Sequence, residues 1–221
     1  MAHGTRKQRG VTMVGDLAEQ VSSALGQHVH MAFVDVLGPT PSEVLASLDG
    51  PAVVVPAFLS RGYHVTTDIP AHVEASGHPD VSVTEALGPG PQLVRVLTDR
   101  LVESGWRRDD SVVLAAAGTS DPGAQRDLHT MATWLSATTS SRVELAFAAT
   151  GTPRVADAVD ALRRRGARRV VVASYLLSEG LFQDRLRASG ADVVTEPLGL
   201  HPGLVRLIAN RFRRARVPVA A

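Results

Sequence analysis

The chain is written twice over. Residues 83–101 read VTEALGPGPQLVRVLTDRL and residues 194–212 read VTEPLGLHPGLVRLIANRF, which align without a gap and are identical at ten of nineteen positions. Residues 52–62, AVVVPAFLSRG, parallel residues 170–180, VVVASYLLSEG, and His3-Gly4-Thr5 stands where Ala117-Gly118-Thr119 does. Long matching stretches in one order mean tandem duplication of a single folding unit. Whatever the first copy folds into, the second must fold into as well.

The second copy is the easier to read. Short apolar runs at 111–117, 142–148, 169–175 and 191–196 predict strands. Helical spacing predicts helices over 122–137, from Thr152-Pro153 to about 165, over 180–188 and over 202–214. The first copy follows the same order, with helices over 14–25, 66–75 and 91–103 and strands over 29–36, 52–58 and 81–86. Thr40-Pro41-Ser42-Glu43 is a capping box with proline at the first helical position, opening a helix to Leu48. Strand alternating with helix implies parallel sheets covered on both faces. The expected fold is α/β: two tandem flavodoxin-like lobes, each a mainly four-stranded parallel sheet with helices on both faces, over residues 1–106 and 110–216.

The copies differ at the start. Seven strand residues precede Gly118, but only Met1-Ala2 precede His3. The central strand of the first lobe is thus expected to be nearly absent, leaving its neighbours unpaired and an apolar slot open. The reading favoured on sequence is that the natural start lies upstream; the other is that the first three residues merely imitate the motif.

Several function classes fall away. There is no cysteine, so disulfides, thiolate metal sites and cysteine nucleophiles are excluded. A net charge of +1 gives no field for nucleic acid or an anionic membrane. No apolar run approaches the ~18 residues of a membrane helix, and no signal-peptide core is present, so a cytoplasmic location is expected. Neither a Gly-rich dinucleotide motif after a strand, nor a Walker A lysine, nor Gly-x-Ser-x-Gly occurs; no nucleotide is expected.

Topology points to the chemistry. In a flavodoxin-like order 2-1-3-4, strands 1 and 3 are neighbours, and ligands bind at their carboxyl ends. His3 ends strand 1 and His64 follows strand 3, so both imidazoles face one crevice. Imidazole is a common metal ligand, and its pKa near ~6.5 lets it carry protons as well. Each histidine alone reads as an ordinary loop residue; the pair reads as a site. The matching positions of the second copy are Ala117 and Phe182, so one lobe carries the site and the other does not. His28, His30, His72, His78 and His129 show no such convergence. His201 lies on the corresponding rim of the second lobe, opposite Gly90 of the first, placed to close over a ligand between lobes. Arg6, Lys7, Arg9 and Arg61 surround the pair. Arg6 and Arg61, with the turn glycine Gly62, are expected to contact a substrate bearing several carboxylates. Gly4-Thr5 offers backbone N–H groups for an anion.

Three motifs carry a family resemblance: AHGTR (2–6), VVPAFLSRGYHVTTDIP (54–70) and LGLHPGL (198–204). Together they resemble the sirohydrochlorin chelatases, the class II, ATP-independent cobalto- and ferrochelatases, in their fused two-lobe form. The resemblance implies insertion of Co²⁺, Fe²⁺ or Ni²⁺, as substrate, into a sirohydrochlorin-type tetrapyrrole. It places the metal-binding and catalytic roles on His3 and His64. The fused halves themselves suggest a monomer that replaces a dimer of single lobes. The first-copy loop LGPGP departs from the family, which often has histidine there. The nearly absent first strand and a second lobe that lacks both site histidines also leave room for a non-catalytic metal or tetrapyrrole carrier, or for an inert relative.

Overall fold

The computed structural model of the chain describes residues 1–216. In the second lobe, β3 (Ser111–Gly118), β4 (Val143–Thr150), β5 (Val170–Tyr175) and β6 (Val193–Val194) form one parallel sheet in the order β4-β3-β5-β6. This is the expected 2-1-3-4 order. Its helices are α5 (Pro122–Thr139), α6 (Val155–Arg164), α7 (Leu181–Arg187) and α8 (Pro202–Arg216). The central strand shows why the sheet needs cover on both faces. Val112, Leu114 and Ala116 join one apolar cluster, while Val113 and Ala115 join another, as period-two alternation dictates.

The first lobe keeps the plan with a smaller sheet. Its elements are α1 (Gln8–Leu25), α2 (Pro41–Ala46), β1 (Ala52–Val54), a π-helical turn (His64–Asp68) that runs into α3 (Ile69–Ser76), β2 (Val81–Val83) and α4 (Pro91–Glu103). β1 and β2 pair in parallel. The strand expected over 29–36 appears as a single bridge, Ala2 to Phe33. Met1 and Ala2 do stand between the neighbours that the topology requires: Ala2 N–H donates to the Ala32 carbonyl, and Ala57 N–H donates to that of Met1. Of the four strands expected of this lobe, the described residues show one short pair and a bridge. A cavity of about 680 Å³ lies beside them, lined by Leu17, Val21, Val29, Val53, Val55 and Phe212 among others. This is the slot expected from the sequence. Neither histidine of the candidate pair lines it.

Local signals set several boundaries. Thr40 Oγ1 accepts from the Glu43 N–H while Glu43 accepts from the Thr40 N–H, which is the predicted capping box. α1 begins six residues earlier than its apolar spacing suggests, because its first residues, exposed Gln8 and Arg9 and buried Gly10, bring no large apolar side chain to the pattern. α6 begins at Val155 with Arg154 as its cap, two residues after the start expected from Thr152-Pro153. Among the described residues no helix is long and apolar enough to cross a membrane.

The lobes share one core. Leu17 and Val21 of α1 and Leu93, Leu97 and Leu101 of α4 cluster with Leu128, Met131 and Leu135 of α5 and Leu204 and Ile208 of α8. α1 packs on α8, and α4 on both α5 and α8. This layer turns the strand-end rims of the two lobes toward each other. On the second rim, Gly118 holds φ at +104°, and a Cβ there would run into the Thr150 carbonyl. Gly118→Ala is therefore expected to cost about 2 kcal/mol or more in urea unfolding, from backbone strain and overlap together. A loss below about 0.5 kcal/mol, the size of an ordinary surface change, would show that the rim relaxes freely.

Candidate metal-binding site

His3 and His64 meet where the topology places them. Their ring centroids are 4.8 Å apart, with planes at 81°. His3 follows the short Met1-Ala2 segment. His64 opens the π-helical turn after the loop that leaves β1.

Each ring is held by one nitrogen. His64 Nδ1 lies 2.5 Å from Asp68 Oδ2, four residues along the same turn. A carboxylate only accepts, so Nδ1 carries the proton and donates it, leaving the Nε2 lone pair free. His3 Nδ1 lies 3.1 Å from the Gly4 carbonyl, which likewise only accepts, so its Nε2 is free too. That nitrogen is 3.9 Å from Asp35 Oδ2. Phe58 stacks on His64 at 5.8 Å between centroids, and exposed Tyr63 stands edge-on at 6.2 Å. The result is two outward-facing ring nitrogens at a half-exposed rim, backed by two carboxylates. Such a set suits a divalent ion. Among the described residues no three or more histidine and acidic side chains are placed to hold a metal ion jointly, so the two ring nitrogens are the candidate donors.

Sequence reasoning did not name Asp35 or Asp68. Both had a signal. Asp68 is four residues past His64 in a helical stretch, hence on the same face. Asp35 ends the segment that neighbours strand 1, hence lies on the same rim. Its approach requires Gly4, where a Cβ would strike the Asp35 carbonyl. The next residue, Val36, has φ of +71°, an outlier for a β-branched residue. Backbone strain is thus concentrated beside the histidine pair.

The other expected site residues fall elsewhere. Arg6 is exposed at the rim. Arg61 points across to the second lobe: its N–H and Nε donate to Asp127 Oδ2, each at 3.0 Å, and Nη2 reaches Oδ1 at 2.5 Å. Its fork is therefore engaged by a carboxylate of the protein itself. Gly62 lies against the same lobe, near Ala124 and Thr119. His201 is 7% exposed. Its Nδ1 accepts from the Gly203 N–H at the start of α8, and its Nε2 faces Asp99 and Glu103 of α4 at 3.5 and 4.0 Å. Burial and nearby Arg100 hold its pKa below the usual histidine value, against the pull of those carboxylates. This places His201 in the packing of α8 on α4, apart from the histidine pair.

Comparison with known proteins gives a consistent answer. The CbiX family pattern matches residues 1–104 and, again, residues 111–215. A sirohydrochlorin ferrochelatase of Priestia megaterium is 24% identical over 96% of this chain and 88% of its own length. A sirohydrochlorin cobaltochelatase of the same organism is 29% identical over 61% of this chain and 47% of its own length. Among solved structures, SirB from Bacillus subtilis with Fe³⁺ superposes with a TM-score of 0.82 at 21% identity, covering 97% of this chain and 92% of that one. CbiX of denitrifying bacteria, described as the terminal enzyme of siroheme biosynthesis, superposes at 0.75 with 19% identity, covering 98% and 97%. The two structures bear on the fold, which is that of the two-lobe chelatases.

The Asp68 contact makes a direct prediction. Asp68→Ala should weaken Co²⁺ binding to the whole protein by about 10–100-fold, the usual effect of losing a partner that orients a metal-binding histidine. Isothermal titration reads this. Unchanged affinity would mean that the carboxylate does not orient His64.

Proposed function

From the premise that this chain belongs to the CbiX family, we propose that it inserts a divalent metal into sirohydrochlorin or a closely related tetrapyrrole, without a nucleotide. The observation that carries this reading is the pair of imidazoles 4.8 Å apart, each with its Nδ1 tied down and its Nε2 free. His3 and His64 are the proposed metal ligands. Asp35, beside His3, adds negative charge to the incoming ion.

The proton balance assigns a second role. The macrocycle gives up two pyrrole N–H protons for each divalent ion it accepts. While the ion sits on the protein, the Nε2 lone pairs hold it. As it passes to the pyrrole nitrogens those lone pairs are released, and each can take a proton. Asp68 holds the His64 ring by Nδ1, so that Nε2 is the nitrogen presented first to the metal and then to the proton. Metal donor and proton acceptor are thus one atom used in succession. No phosphate chemistry enters, in keeping with a site that lacks a nucleotide motif.

The flat substrate would lie at the rim between the lobes, with Tyr63 and Phe58 beside His64 as apolar surface. Arg6 is left as the exposed guanidinium next to the site for a peripheral carboxylate. Cobalt and iron are the favoured metals because the named relatives are cobalto- and ferrochelatases; nickel suits the same ligands. Because both rims come from one chain, we take the working unit to be a monomer.

Purified protein with sirohydrochlorin and Co²⁺ or Fe²⁺ should change the macrocycle absorbance faster than the metal alone. His64→Ala should lower the rate at least about 100-fold, since both the metal donor and the proton acceptor are lost. Equal rates for the variant and the parent would remove His64 from the mechanism. Tight metal or tetrapyrrole binding without turnover would instead mark a carrier.

A further inference from the structure

The lobe without site histidines sends two buried polar groups into the loop that carries His64. Asp127 on α5 has a side chain only 3% exposed. It takes three hydrogen bonds from Arg61: one from the backbone N–H and two from the guanidinium. Burial works to raise the Asp127 pKa, but these bonds and the positive charge outweigh it, so the carboxyl is held below its usual value. Tyr175 on β5 is 2% exposed and donates from its hydroxyl to the Leu59 carbonyl at 2.8 Å. Burial, reinforced by Asp127, pushes its pKa far up, so the phenol stays a donor. Leu59 and Arg61 thus receive anchors from the second lobe, five and three residues before His64.

The duplication supplies an internal comparison. Helices α1 and α5 are both 18 residues long and align without gaps from Gly4 and Gly118. The position of Asp127 is then Met13 in the first lobe, and Met13 packs by its sulfur at Gly199. The remaining rim contacts are near-mirror images. Gly62 sits beside Thr119 and Ala124, while Gly180 sits beside Thr5, and Gly10 lies against the Glu179 carbonyl. A buried carboxylate clamp is therefore present toward the loop with the histidine, where the equivalent position toward the loop bearing Phe182 is apolar.

We propose that Asp127 is a positioning residue: it fixes the loop before His64 through Arg61, and so sets where the His64 imidazole stands relative to His3. Arg61 on this account binds the protein and not the substrate. The proposal rests on the chelatase reading for its consequence in catalysis, but not for the placement of the ring. Asp127→Asn keeps the volume and removes the charge that the guanidinium pairs with. The loop is then held by weaker neutral bonds, and His64 loses its fixed distance from His3. Asp127→Glu keeps the charge and restores part of the effect.

The test uses the full chain and three readouts, with Met13→Ala as a control for damage at the equivalent interface position. In metal-free protein, ¹⁵N-detected ring signals of His64 should shift or broaden in Asp127→Asn, while those of His28 and His30 stay put. With Co²⁺, the visible spectrum of the bound ion should change. With sirohydrochlorin, kcat should fall by about 10–100-fold with KM within about threefold, as expected of a misplaced catalytic group. Met13→Ala should lower Tm comparably and leave all three unchanged. Parent-like His64 signals in Asp127→Asn, or equal effects in Met13→Ala, would overturn the proposal. If the parent neither binds Co²⁺ nor turns over, the chelatase reading fails, and the ring signals alone still decide the role of Asp127.

Discussion

Four helices, two from each lobe, bury their apolar stripes against one another, and this layer governs where everything else can stand. The first lobe depends on it most. Outside the shared layer, its own cluster holds only Leu45, Ala52, Val54 and Ile69 as fully buried members. Its sheet pairs three residues of β1 with three of β2. Apolar burial is the dominant favourable term in folding, and here most of the burial available to α1 and α4 is against the second lobe. Interfaces of that kind do not open freely. The two rims therefore face each other in a fixed relation, and the histidine pair sits on a lobe braced from behind and from across.

Within that frame, the two imidazoles are tuned differently by similar means. Both give up Nδ1 to an acceptor and leave Nε2 outward. A backbone carbonyl holds His3, and a carboxylate holds His64. A neutral acceptor orients a ring and fixes its tautomer. A charged acceptor does the same through a shorter contact, 2.5 Å at His64 against 3.1 Å at His3. The exposed rim suits a ligand that must let go, since a closed four-ligand cage would retain the ion.

Much of this was legible in residue order. The repeat fixed two α/β lobes, and the parallel 2-1-3-4 order brought His3 and His64 to one rim before any coordinates. The capping box at Thr40 was readable because its chemistry is local. What escaped was non-local. Arg61 looked like a substrate group because a guanidinium beside a site usually is one; its real partner, Asp127, lies 66 positions away in the other lobe. His201 looked like a rim residue, but the helix packing that buries it against α4 has no signature in a linear pattern. The segment 29–36 has the residues of a strand but meets Ala2 in a single bridge, and strand formation depends on pairing more than on propensity. Asp35 and Asp68 do have a signal in topology and helical spacing, but nothing in a linear pattern separates them from the other acidic residues of the chain.

The duplicated positions explain why one site, rather than two, is the stable outcome. A symmetric pair of lobes would need each copy to carry the histidines, the arginine of the loop and the aspartate that receives it. Here the counterpart of Arg61 is Glu179, and the counterpart of Asp127 is Met13. An aspartate in place of Met13 would bring a carboxylate toward a rim that already holds Glu179 and Asp184, with Lys7 and Arg187 engaged in pairing them. Like charges at a partly buried contact are costly unless each is matched. The swap of arginine for glutamate on one loop and aspartate for methionine on the facing helix therefore belong together. Once both lobes are on one chain, neither has to serve as donor and brace at the same time. The first lobe keeps the imidazoles, the second keeps the buried carboxylate, and the asymmetry is electrostatically self-consistent.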